Sequence, residues 1–337
     1  MKAVICQEPG RLEVVDRPGP GAPPEGFATV DIRHVGICGT DYHIFEGKHP
    51  FLEYPRIMGH ELSGVVAASG SGTSLRPGTP VIVNPYLACG TCVACRKAKP
   101  NCCTRIQVLG VHTDGGMCER IVVPEGNLYP AEGLSLRDAA MVEFLAIGAH
   151  AVRRSLAPAG SRALVVGIGP IGLGTAIFAR IAGHDVTLLD TSAERLAFAD
   201  ERLWFGVGVR AGEGANAALM ALSDGDGFDV VFDATGHAGS IRNGFALVAH
   251  GGAYVLVSVV KDDIAFSDPE FHKREMMLIG SRNAGRADFE HVIASIRSGL
   301  VPLDALATHT TSLDEAPAAL ARWSRDKSGL IKAIVAV

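Results

Sequence analysis

RALVVGIGPIGLGTAIFARIAGHDVTLLD, residues 162–190, runs from an apolar strand through a glycine turn into an apolar helix and out into a second strand. Gly167, Gly169 and Gly172 form G-x-G-x-x-G at the turn. The first glycine permits the tight turn, the second lets the backbone approach a pyrophosphate, and the third lets helix and strand pack closely, with the helix N-terminus facing the anion. Pro170 suits the first helical position, where its missing N–H costs little, and Ile171 completes the loop. Asp190 ends the second strand 18 positions after Gly172, where an acid bonds the adenosine ribose hydroxyls and repels a 2′-phosphate. The stretch therefore predicts a dinucleotide site that prefers NAD over NADP. Arg195 lies nearby and leaves room for dual use.

Outward from this unit, strands and helices keep alternating after Pro158, through DVVFDATG, AYVLVSVV and MMLIGS. Such alternation implies βαβ units and a parallel sheet. Residues 1 to about 130 have another texture. Short runs such as FATVDIRHVGIC alternate apolar and polar residues between Gly and Pro, which predicts a mainly β part. From about Asn283 the pattern changes again, with amphipathic helices in DFEHVIASIRSG and EAPAALARWSR and a last strand in IKAIVAV. The fold class expected is α/β: a doubly wound parallel sheet beside a mainly β domain. The expected boundaries are 1–150, 151–283 and a segment 284–337 that forms a third unit or returns to the first.

The 337 residues suffice for roughly two domains. With 47% hydrophobic and 20% charged residues the chain can bury a core. Lys plus Arg total 31 against 36 for Asp plus Glu, and a net charge of -5 gives no general attraction to phosphate backbones or anionic lipid. Nucleic acid and membrane are thus poor partners, and a small molecule is the expected one. No stretch approaches the ~18 apolar residues of a membrane span, and MKAVICQEPGRLEVVDRPG has acids where a signal peptide has its apolar core, so a cytoplasmic location is expected.

In a reducing cytosol, clustered cysteines point to metal rather than disulfides. Cys89-x2-Cys92-x2-Cys95-x7-Cys103 offers four thiolates over one loop, about residues 86–105, which suits tetrahedral zinc. Cys102 is adjacent and competes with Cys103 for the fourth position. Four sulfurs close the site to substrate, so the expected role is structural.

Cys38-Gly-Thr40-Asp41-Tyr-His43 ends a strand, and Gly59-His60-Glu61 follows about twenty residues later. These fragments, beside a cysteine lobe and ahead of a nicotinamide-binding unit, resemble the zinc-dependent medium-chain alcohol dehydrogenase family over essentially the whole chain. The resemblance implies a GroES-like catalytic domain completed by the tail, a Rossmann domain, and a cleft between them. It favours Cys103 in the lobe and implies two zinc ions per chain, NAD as cofactor, and a homodimer or homotetramer. By the same resemblance Cys38 and His60 bind the catalytic zinc, with Glu61 as ligand or close neighbour. The third protein position is Cys in simple alcohol dehydrogenases and Glu in the sorbitol and threonine dehydrogenase branch. Glu143 in MVEFLAIGAH takes that position, directly or through water, although Phe144 replaces the branch's usual Pro. Family position also implies a proton relay from Thr40 through the nicotinamide ribose to His43. Asp41 either orients a ligand or caps the strand end.

Segments YPRIMGHE, VLGVHTDGG and FSDPEFHKRE followed by IGSRN resemble bacterial sugar-acid dehydrogenases of the L-galactonate 5-dehydrogenase type. That implies hydride transfer from a secondary hydroxyl of a hexonate to NAD. By resemblance Arg282 aligns with a pocket Arg of sorbitol dehydrogenases, which makes it the cation best suited to a substrate carboxylate, with a salt bridge or cofactor contact as its other reading. His112 and His272 are weaker candidates. The alternatives are a polyol, diol or threonine dehydrogenase and, outside enzymes, an NAD-binding zinc protein acting as sensor or scaffold.

Overall fold

A computed structural model describes residues 1–49 and 52–337. Strand Arg162–Val166 occupies the middle of a six-stranded sheet in which every pairing is parallel. On one side lie Asp185–Asp190 and then Gly208–Arg210; on the other lie Phe228–Asp233, Val248–Leu256 and Met277–Gly280. The central strands are apolar on both faces and almost wholly buried, as helices on both sides of a parallel sheet require. The order reverses beside Arg162–Val166, so the glycine turn falls at the switch point where such sheets bind ligands. This is the doubly wound α/β class that the sequence predicts.

The largest sheet among the described residues has seven strands. Its path runs Leu128–Pro130, Pro80–Val83, Glu61–Ser69, Phe27–Ile37, Lys332–Ala336 and Ala307–Ser312, with Arg120–Pro124 also paired to Phe27–Ile37. The last strand of the chain therefore inserts beside one of the first. Val30, Ile32, Met58, Leu62, Val83 and Leu320 are among the residues of its core, all with no more than trace exposure.

The described chain forms two compact units. One comprises Met1–Glu143, Ile293–Gly299 and Leu306–Val337; the other comprises Phe144–Val292 and Leu300–Ala305. The break thus falls at Glu143/Phe144, ahead of the expected 150, and residues 284–292 and 300–305 join the parallel-sheet unit. Helix Val142–Ser155 explains the shift. It lies so close to helix Pro170–Ile181 that a Cβ at Gly148 would come within 2.5 Å of the Gly174 and Thr175 backbone. The start of helix Arg286–Arg297 is tied to it as well. Asp288 accepts from Arg153 Nε at 2.7 Å and Nη2 at 3.0 Å, and its Oδ2 lies 2.8 Å from His150 Nδ1.

Candidate active site

The cysteine loop hangs from a two-residue antiparallel ladder, Tyr86 opposite Val108 and Leu87 opposite Gln107. Closing the loop brings Cys89, Cys92, Cys95 and Cys103 together, with all four Sγ atoms within 4.8 Å of one another. The Sγ separations of 3.5, 3.8 and 4.0 Å match the edge of about 3.8 Å that four thiolates at ~2.3 Å from a tetrahedral zinc would form. Arg105, followed by backbone N–H donors, pushes the Cys89 thiol down to about 5. Backbone donors push Cys92 down to about 6. Cys95 goes the other way, pushed up to about 12 by burial and the neighbouring thiols. Cys102 is exposed and outside the group, whereas Cys103 is buried within it.

The second group arises from strand register. Strand Phe27–Ile37 pairs antiparallel with Glu61–Ser69, Gly36 facing Glu61, so the end of one strand meets the start of the other. Cys38 and His60–Glu61, far apart in sequence, become neighbours. Donor atoms of Cys38, His60 and Glu61 lie within 4.8 Å of one another. Glycine at 36 makes room for the acid, because a Cβ there would overlap Glu61 Oε2.

Cys38 also caps the short helix Gly39–Phe45, which carries Thr40, Asp41 and His43. Thr40 Oγ1 lies 3.8 Å from Cys38 Sγ. His43 is exposed on the same helix. Asp41 caps the strand end, its Oδ2 accepting the Cys38 backbone N–H at 2.8 Å, while Oδ1 lies 4.0 Å from His60 Nδ1. Both Asp41 Oδ1 and His60 Nδ1 are buried without a hydrogen-bond partner.

The electrostatics call for a cation. Burial alone would pull the His60 imidazole down, but Asp41, Cys38 and Glu143 outweigh it and hold it well above its ordinary value. Burial, joined by the charge of Glu61, pushes Glu143 up to about 7 against His60, the Tyr86 hydroxyl and Lys332. A thiol, an imidazole and carboxylates around orphaned buried polar atoms form a donor set that fits zinc.

Two partners of this site escape the sequence reading. Lys332, buried in the last strand, donates to both Glu61 oxygens at 2.7 Å and to the Ile37 carbonyl at 3.1 Å. Tyr86 donates its hydroxyl to Glu143 Oε1. Glu143, in the first turn of helix Val142–Ser155, stands outside the close group of Cys38, His60 and Glu61. The lysine had a signal, a single charge inside the apolar run IKAIVAV. The tyrosine had none.

In the other unit, Gly167 has φ +80° and a Cβ on Gly172 would overlap the Gly167 carbonyl oxygen, so turn and packing both demand glycine. Gly169 caps the helix begun by Pro170 and Ile171. Asp190 ends its strand with Oδ2 accepting from Ile168 N–H at 2.7 Å and Oδ1 from Ser192 N–H at 2.8 Å, and Arg195 Nη1 lies 3.9 Å away. Arg282 is exposed just after strand Met277–Gly280. His272 sits in helix Asp268–Lys273. In the first unit, His112 accepts the Val108 N–H on Nδ1 at 3.1 Å.

A GroES-like β unit with a Cys/His/Glu site, a four-cysteine lobe and a Rossmann unit define a zinc alcohol dehydrogenase. Residues 24–133 match the alcohol dehydrogenase GroES-like domain, and residues 170–298 match the zinc-binding dehydrogenase family. The chain belongs to the zinc-containing medium-chain alcohol dehydrogenases, as an NAD(P)-dependent enzyme of the sugar and polyol branch acting on CH–OH. It is 42% identical to L-galactonate-5-dehydrogenase of Escherichia coli (strain K12), over 92% of this chain and 91% of that protein. With 2-dehydro-3-deoxy-L-galactonate 5-dehydrogenase of Pseudoalteromonas atlantica it shares 32% identity over 93% and 92% of the two chains. RspB of Escherichia coli CFT073, solved with NADH, superposes with a TM-score of 0.93 at 29% identity, covering 100% of this chain and 99% of that one. Membership of an enzyme family sets aside the sensor or scaffold reading. Among the described residues no helix is long and apolar enough to cross a membrane.

Proposed function

We propose that the chain oxidises a secondary hydroxyl of a sugar acid, L-galactonate or a related hexonate, to a keto acid with NAD. The observation that carries the chemistry is the Cys38–His60–Glu61 group with Glu143 beside it; the 42% identity to an L-galactonate-5-dehydrogenase supports the substrate class. Cys38, His60 and Glu143 would hold the catalytic zinc, Glu143 directly or through water, with Glu61 as close neighbour. Cys89, Cys92, Cys95 and Cys103 would hold the structural one. Bound there, zinc supplies a Lewis acid that lowers the pKa of a substrate hydroxyl, and the nicotinamide supplies the hydride acceptor.

The chain's own residues do the rest. Thr40 relays the hydroxyl proton, accepting it as it gives up its own, and His43, exposed at the helix surface, releases a proton to solvent. Asp41 faces the Nδ1 side of His60 at 4.0 Å and acts on it through charge. Gly167, Gly169, Pro170, Ile171 and Gly172 present backbone to the dinucleotide. Asp190 takes the adenosine ribose, flanked by Arg195, and its charge favours NAD over NADP. Arg282 and His112 receive the substrate. In this reading the first unit is catalytic, the second binds cofactor, and the enzyme works as a cytoplasmic homodimer or homotetramer.

One assay tests the proposal: NADH formation with a panel of hexonates, neutral polyols and threonine, repeated with NADP. The highest kcat/KM is expected for a hexonate with NAD. A preference for sorbitol or threonine would remove the sugar-acid assignment, and a higher kcat/KM with NADP would remove the cofactor assignment.

A further inference from the structure

We propose that Tyr86 is a positioning residue for catalysis, its hydroxyl setting how Glu143 presents a carboxylate oxygen toward the Cys38–His60 group. The inference rests on the reading that Glu143 serves the zinc.

Two acids flank the group, and different partners hold them. Glu61 has both oxygens on the Lys332 ammonium at 2.7 Å. Glu143 has its Oε1 on the Tyr86 hydroxyl. A buried cation that grips both oxygens fixes the whole carboxylate in place and still leaves each oxygen a lone pair. A neutral hydroxyl that takes one oxygen commits that oxygen and fixes the other's direction. Glu143 is thereby the acid whose Oε1 is set by a neutral donor.

The phenol is itself rigidly mounted. Tyr86 N–H donates to Asn84 Oδ1 at 3.0 Å, and Asn127 Nδ2 donates to the Tyr86 carbonyl at 3.1 Å and to the Asn84 carbonyl at 2.9 Å. The Tyr86–Val108 pairing clamps the backbone from the other side, and the ring is buried. A phenol has two side-chain torsions, so a fixed backbone and a packed ring leave the hydroxyl one place to point. A buried tyrosine hydroxyl needs some acceptor, and a backbone carbonyl would satisfy it. Here it meets a carboxylate that is 3% exposed, and removing it would leave that carboxylate without its donor at the edge of the metal group. Partners of this kind are worth about 10- to 100-fold in metal affinity or activity.

The test compares Tyr86→Phe, Glu143→Gln and the double variant in fully metal-loaded enzyme, with Co(II) exchanged into the Cys38–His60 site as an optical probe. Tyr86→Phe is expected to lower kcat about tenfold with a smaller change in KM and to shift the Co(II) visible spectrum. Its metal content and thermal midpoint should match the wild type. The double variant should be within about twofold of Glu143→Gln alone, since the hydroxyl acts through that residue. The proposal is overturned if the two losses multiply, if Tyr86→Phe leaves turnover and spectrum unchanged, or if it sheds the metal of the cysteine lobe. Wild-type turnover in Glu143→Gln would instead overturn the reading of Glu143 itself.

Discussion

Lys332 and Glu61, 271 residues apart, form a fully buried ion pair in which one ammonium meets both carboxylate oxygens at 2.7 Å. The pair exists because the last strand inserts beside Phe27–Ile37, whose other neighbour is Glu61–Ser69. The chain's end thus charge-balances a residue of the metal group, and fold completion is coupled to the site.

Removing one partner of such a pair strands the other charge without solvent. Lys332→Met is expected to destabilise the protein by about 3–5 kcal/mol, the usual range for breaking a buried pair. Adding Glu61→Gln should recover part of the loss, because the stranded charge is then gone. Urea melts of both variants measure this. A cost under about 1 kcal/mol for Lys332→Met would show that water or another cation reaches Glu61.

The cysteine lobe and the Cys38–His60 site should fail differently. Cys89→Ser removes a donor from a closed four-sulfur group, so one zinc and several degrees of melting temperature should be lost. Cys38→Ser removes a donor from the Cys38–His60 site, and kcat should fall by more than the roughly 100-fold upper range of outer-shell changes, with the fold kept. Metal analysis of the wild type should find two ions per chain. A single ion in fully loaded protein, or equal effects of the two variants on melting, would contradict this division.

How much of this could be read in advance depended on the range of the interaction. The glycine turn, the strand ending at Asp190 and the cysteine spacing are local patterns in which side-chain type reports backbone geometry directly. Cys38 and His60 became a pair only through family resemblance, since nothing local says that two strand ends twenty residues apart will align. Tyr86 lay beyond both routes, and Lys332 showed only as a lone charge in the apolar run IKAIVAV, with no sign of its partner. Their partners are fixed by strand order and by the placement of a helix start, which depend on the whole sheet. The early unit boundary has the same cause: Gly148 and the Asp288 contacts bind helix Val142–Ser155 to the parallel-sheet unit, and neither shows in composition.

Asp288 gives the stability an acid-sensitive component. Burial pushes its carboxyl up, but His150, Arg153 and the Gly285 N–H outweigh that and hold it at about 2 against an ordinary 3.8. A depressed folded pKa stabilises above the unfolded value and is lost as pH falls through the folded one, here between about pH 4 and pH 2. A shift of this size corresponds to about 2 kcal/mol. Asp288→Asn should cost about that much at pH 7, and the gap to wild type should close toward pH 2. Denaturant melts across this range decide; a gap that stays constant with pH would assign the loss to geometry rather than to charge.

The substrate class is the prediction most exposed to failure. If the site takes a sugar acid, Arg282 should give its carboxylate a charge-assisted hydrogen bond worth roughly 1.5 to 3 kcal/mol. Arg282→Ala should then lower kcat/KM for L-galactonate about ten- to a hundredfold, at ~1.4 kcal/mol per tenfold. A neutral polyol has no carboxylate to lose its partner and should be affected less. Arg282 is exposed after a sheet-edge strand, so its replacement leaves no cavity and the fold should survive. The ratio of the two losses isolates the carboxylate contact from any general effect on cofactor binding. Equal losses for acid and polyol would assign Arg282 to the cofactor or the fold, and leave the charge of the substrate to be recognised elsewhere.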